Sequence, residues 1–146
     1  VILKDVQGAF NYGDGEQIVL RNARYCENHG KIQKIFKNVE EAVNYGRNQI
    51  IGGNIKSKAE NYQGRQWIGG NAKEVISYGG EQTVVLNAQI ATCYPKSRQV
   101  ITGDVSLAKE FFEGSQIITG KKGFERTYAT IPYPAYNCTE KALEKK

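Results

Sequence analysis

The segment Gln49–Val84, QIIGGNIKSKAENYQGRQWIGGNAKEVISYGGEQTV, reads as two versions of one unit and the start of a third. Gln49, Gln66 and Gln82 each open a unit. Two residues on stands an apolar β-branched residue (Ile51, Ile68, Val84), and five residues on stands an Asn (Asn54, Asn71, Asn87). A Tyr closes each unit before a glycine- or proline-containing joint (Tyr62, Tyr78, Tyr94). The pattern extends in both directions. Gln recurs at positions 17, 33, 49, 66, 82, 99 and 116, at intervals of 16 or 17 residues. The opening segment fits without its Gln, with Ile2, Asp5, Val6 and Tyr12 in the same slots. Eight such units cover residues 1–131, leaving 132–146 as a C-terminal tail. A fixed period of this kind marks a repeat architecture and takes precedence over local propensity.

Within a unit, every second residue after the Gln is apolar or small: Val84, Leu86, Ala88 and Ile90, or Ile101, Gly103, Val105 and Leu107. Alternation with period two is the mark of a strand with one buried face. The joints, such as Tyr12-Gly-Asp-Gly-Glu, Tyr45-Gly-Arg-Asn and Tyr78-Gly-Gly-Glu, carry residues that supply tight turns. The sequence therefore predicts an all-β domain. Hairpin-like joints favour an antiparallel up-and-down meander of eight strands closed as a barrel, because closure removes two exposed edges. Inward glycines at Gly53, Gly70, Gly103 and Gly120 would serve the coiling that closure demands. The alternative is a parallel β-solenoid, in which each unit is one coil and the Asn column stacks as a ladder.

Composition sets the bounds. The chain has 146 residues, 40% of them apolar and 24% charged, which suits one globular domain. No apolar run is long enough to span a bilayer as a helix. The start at Val1 is expected to be that of a mature or trimmed product. A net charge of +5 favours anionic partners. The cations are spread from Lys4 to Lys146 rather than gathered in a stripe, which argues against nucleic acid.

Catalysis finds little to work with, and the expectation is a protein that is not an enzyme. His29 is the only histidine and lies in the turn Glu27-Asn28-His29-Gly30. A separation of three positions between Cys26 and His29, across a strand end, does not fix a nucleophile to a base. Cys26, Cys93 and Cys138 form no metal-ligating pair, and no cofactor is implied. An odd cysteine count suggests one bridge, expected between Cys138 and either Cys26 or Cys93. Asn137-Cys138-Thr139 is the sole N-glycosylation sequon, so Asn137 is the candidate acceptor. Cysteines, sequon and start together point to a secreted, extracellular protein.

Two sets of residues suggest binding. The slot after the Gln faces away from the Ile/Val row, yet holds Ile50, Trp67, Val100 and Ile117. Apolar residues there imply a cover, either the tail or a partner interface centred on Trp67 in a homo-oligomer or protein complex. The inward row also carries charges, including Glu27, Glu41, Glu74 and Lys109, of which Arg21, Lys122 and Arg126 would line a pocket for an anionic small ligand. The first functional expectation is therefore a secreted, non-enzymatic protein binding a small ligand or a partner. The alternatives are a self-associating structural or surface-coating protein, and a membrane-active defence or toxin-like protein.

Overall fold

The protein, seen here as a computed structural model, is described over residues 1–128. Each repeat unit makes two strands rather than one. In chain order they are β1 (Val6–Asn11), β2 (Glu16–Val19), β3 (Ala23–Asn28), β4 (Ile32–Ile35) and β5 (Val39–Asn44). Next come β6 (Asn48–Ile51), β7 (Ile55–Asn61), β8 (Arg65–Ile68), β9 (Ala72–Ser77) and β10 (Gly80–Val84). The series ends with β11 (Ala88–Cys93), β12 (Ser97–Ile101), β13 (Val105–Phe111), β14 (Ser115–Ile118) and β15 (Lys122–Tyr128). The odd-numbered strands form an eight-stranded sheet and the even-numbered ones a seven-stranded sheet, each in sequence order. Every pairing is parallel, between residues one repeat apart.

The architecture is thus a β-solenoid, one coil per repeat. The antiparallel meander closed as a barrel is overturned by these parallel ladders. What misleads in the sequence is a second turn in each unit. Gly52-Gly53-Asn54, which alternation places inside a strand, is a corner between β6 and β7. The chain reverses there as well as at the Tyr-Gly joint, so two reversals per unit return it to its starting direction. Glycine at this corner answers to close approach rather than to barrel curvature. A Cβ on residue 70 would run into the Oδ1 of Asn54 and the carbonyl of Gly53 in the coil before.

Equivalent residues therefore sit side by side, and three polar columns show why the stacking is parallel and in register. Each Gln from Gln33 to Gln116 donates its Nε2–H to the Oε1 of the Gln one coil earlier, at 2.6–2.8 Å. Asn11, Asn28 and Asn44 donate in the opposite sense, each to the next Asn, at 2.8–2.9 Å. At the glycine corner, the Oδ1 of Asp5, Asn22, Asn38, Asn54, Asn71, Asn87 and Asp104 each accept the backbone N–H of the equivalent residue one coil on. Gln33, Gln49, Gln66, Gln82 and Gln99 are buried. An unpaired buried amide costs about 1–3 kcal/mol, so an arrangement that separated equivalent amides would forfeit that at each level.

Between the sheets, the short strands contribute Val19, Ile35, Ile51, Ile68, Val84 and Ile101, all essentially inaccessible. The long strands oppose them with small residues, among them Ala42, Ala59, Val75, Ala91 and Ala108. Burying each of these isoleucines is worth about 1.5–3 kcal/mol. In the long strands the side chains of the inter-sheet core are spaced three apart, as in Val39 and Ala42, with a register irregularity beside Val39. That irregularity shifts the phase. Glu27, Glu41, Glu74, Lys109 and Arg126, expected in an inward row, lie outside the inter-sheet core, on columns that also hold Tyr25, Val43, Ile76 and Thr92.

Cys26 and Cys93 are free and buried, and no disulfide is seen among the described residues. The tail 132–146, with the expected bridge partner Cys138 and the acceptor Asn137, lies outside the described residues. No helix among the described residues is long and apolar enough to cross a membrane.

Candidate functional site

The outer face of the seven-stranded sheet is built by register alone. Because Gln17, Gln33, Gln49 and their equivalents all point inward, the next residue in each strand points outward. The pairing aligns Ile18, Lys34, Ile50, Trp67, Thr83, Val100 and Ile117 as one continuous column. The residues singled out from sequence as an interface (Ile50, Trp67, Val100 and Ile117) are thus brought into line on one surface. Trp67 is 42% exposed and Ile117 46%. Beside them run Leu20 and Phe36, both exposed, then Gly52 and Gly69 in the equivalent positions of the following coils. Leu20 and Phe36 are absent from the sequence reading, although their spacing of two from Ile18 and Lys34 was the available signal.

One charge stands within this face and others border it. Lys34, the one cation in the column, is tied to Glu16 at 3.3 Å, and Arg98 is paired with Glu81 at 3.7 Å along the flank. Strands about 4.8 Å apart and residues about 3.3 Å apart make the face about 34 Å by 16 Å, so a pair of such faces would bury about 1,000 Å², the threshold of a specific interface.

A second column runs along the opposite sheet. Tyr12, His29, Tyr45, Tyr62, Tyr78, Tyr94, Phe111 and Tyr128 stack ring on ring, with centroids 4.5–4.9 Å apart. Tyr12 is 66% exposed at one end, whereas Tyr78, Tyr94 and Phe111 are buried. Near the exposed end, the Glu27 carboxylate accepts the Tyr25 hydroxyl at 2.5 Å and lies 2.5 Å from the His29 Nε2. Burial acts to raise the Glu27 pKa, but the hydrogen bonds from Tyr25 and His29 outweigh it and hold the carboxyl below its ordinary value. Burial, followed by the bond to Glu27, pushes the Tyr25 phenol up.

The three cations expected to line a ligand pocket are not brought together. Arg21 lies at the corner before β3 and pairs with Asp5 at 3.8 Å. Lys122 and Arg126 lie in β15, at the far end of the described stack. Lys122 takes the register position of Val105 and Glu125 that of Ala108, and the two form an ion pair of 2.7 Å. No protein family, curated protein or solved structure is found to match the chain.

Proposed function

We propose that this chain is a self-associating structural protein, a rigid solenoid whose copies meet through the outer face of the seven-stranded sheet to build a surface coat. The observation that carries this reading is the unbroken outward column from Ile18 to Ile117, apolar at five of its seven positions and flanked by Leu20 and Phe36. Apolar patches of this extent mark association surfaces, and Trp near the middle of one is a typical anchor. The occupant is a second copy. Two such faces match in length, carry the ion pairs Lys34–Glu16 and Arg98–Glu81, and together reach the area a specific contact needs. The space between the sheets supports the same reading, because hydrocarbon and amide columns fill it and leave the surface for binding. On this reading the chain works outside the cell.

Sedimentation velocity over a concentration series tests it. The wild-type chain is expected to shift to larger species as concentration rises, and Trp67→Asp to stay monomeric with an unchanged circular dichroism spectrum. A wild-type chain that sediments as a monomer at every concentration overturns the proposal.

A further inference from the structure

A groove runs along the solenoid at the asparagine corner, on an edge separate from the apolar face. Cavities of about 380 Å³ and 580 Å³ lie on this edge, one around Asn22 and Asn38 and the other around Asn54, Asn71 and Asn87, and Lys56 lines both. Its floor is Ile55, Ala72 and Ala88, all buried. One wall is the corner asparagines, and the other is Lys56, Lys73 and Gln89 on the eight-stranded sheet.

The orientation of those amides is fixed by their partners. Asn54, Asn71 and Asn87 each commit Oδ1 to the backbone N–H of the next coil, at 2.7–3.0 Å. A backbone N–H demands an oxygen, so the free end of each amide is the donor Nδ2. Among the described residues, no protein acceptor engages those three Nδ2 groups, whereas that of Asn22 is engaged by Asp5 at 3.2 Å. The cations divide in the same way. Arg24 is neutralised by Glu40 at 3.4 Å, while Lys56 and Lys73 have no ion-pair partner among the described residues. Between Asn54 and Asn87 the groove therefore offers one unengaged amide donor per coil, at a repeat of about 4.8 Å, beside the two unpaired cations. Asp104 closes this stretch with the first opposing charge.

We propose that this groove binds a linear anionic polysaccharide, a uronate chain lying parallel to the solenoid axis. Carboxylates meet Lys56 and Lys73, and hydroxyl and ring oxygens accept from the asparagine amides. A donor array repeating once per coil suits a polymer that repeats once per ring. Single-stranded nucleic acid fits worse. Its binders supply aromatic platforms for the bases, and no aromatic side chain lines this groove.

The test is isothermal titration with a β-linked mannuronate hexamer, with cellohexaose as its neutral counterpart and an oligothymidylate as the competing polyanion. The wild-type chain is expected to bind the mannuronate hexamer, not cellohexaose, and the oligothymidylate is expected not to displace it. Lys56→Gln/Lys73→Gln should weaken binding at least tenfold, whereas Lys31→Gln/Arg47→Gln, an equal charge change at the His29-Gly30 and Tyr45-Gly46 turns, should leave it within twofold. Asn71→Asp, which keeps the Oδ1 acceptor and removes the donor, should weaken it several-fold with little change in melting temperature. Three results overturn the proposal: no mannuronate binding at low salt, equal losses from the two double variants, or displacement by the oligothymidylate. Trp67→Asp should bind as the wild type does, so failure here and failure of self-association are read separately.

Discussion

The indole of Trp67 lies across Gly69, so close that a Cβ on residue 69 would stand 3.0 Å from the indole Cζ3. The same Cβ would stand 2.8 Å from the carbonyl oxygen of Gly52 in the coil before. Glycine at this position therefore lets the largest side chain of the face lie down, which fixes the surface that a second copy would meet.

Gly69→Ala should lift the indole and strain the corner together. A lower melting temperature, a shifted tryptophan emission maximum and weaker self-association are expected. An unchanged emission maximum would show that the indole does not depend on the glycine.

The buried amide column should be unforgiving at its centre. Gln66 donates to Gln49 at 2.7 Å and accepts from Gln82 at 2.6 Å. Gln66→Leu leaves an acceptor on one side and a donor on the other short of a partner, a loss of about 2–4 kcal/mol. Gln17→Leu, at the partly buried end of the column, should cost less than half as much. Urea denaturation of the two variants makes the comparison, and equal losses would show that column position does not matter.

Glu27 should contribute to acid sensitivity. Its folded-state pKa is held below the ordinary 4.5, so the group is stabilising above that value. The contribution is lost as pH falls through the folded-state pKa, because the unfolded chain takes up the proton first. Glu27→Gln should therefore flatten the fall of melting temperature below about pH 4.5. A parallel fall in both proteins would remove Glu27 from the account.

Cys26 and Cys93 should be inert in the native state. Both are buried, and burial is the leading cause pushing each thiol pKa up, so thiolate is scarce at neutral pH. Alkylation at pH 8 followed by peptide mapping is expected to label neither residue until denaturant is added. Rapid native labelling of Cys26 would show that the coils around it open.

Much of this could be read from residues alone. The spacing of the glutamines gave the repeat, the Ile/Val slot gave the core of the short sheet, and the slot occupied by Ile50, Trp67, Val100 and Ile117 gave the outward column. The phase of the long strands was hidden. Two consecutive outward residues after Val39 break the alternation, and no residue type in Glu40-Glu41 announces it. The groove was hidden too. Asn54, Asn71 and Asn87 were legible as a repeated slot, but Lys56 and Lys73 become its opposite wall only once coils stack.

The amino-acid order by itself determined which residues are equivalent, because a period records identity of role. Whether equivalents lie side by side or alternate end for end is a matter of chain direction, and Gly52-Gly53-Asn54 reads equally well as strand or corner. The tertiary structure decided it. Parallel stacking gives each buried Gln, and each corner carbonyl oxygen, a partner at hydrogen-bond distance in the adjoining coil, a satisfaction that exists only between coils and leaves no mark within any one of them.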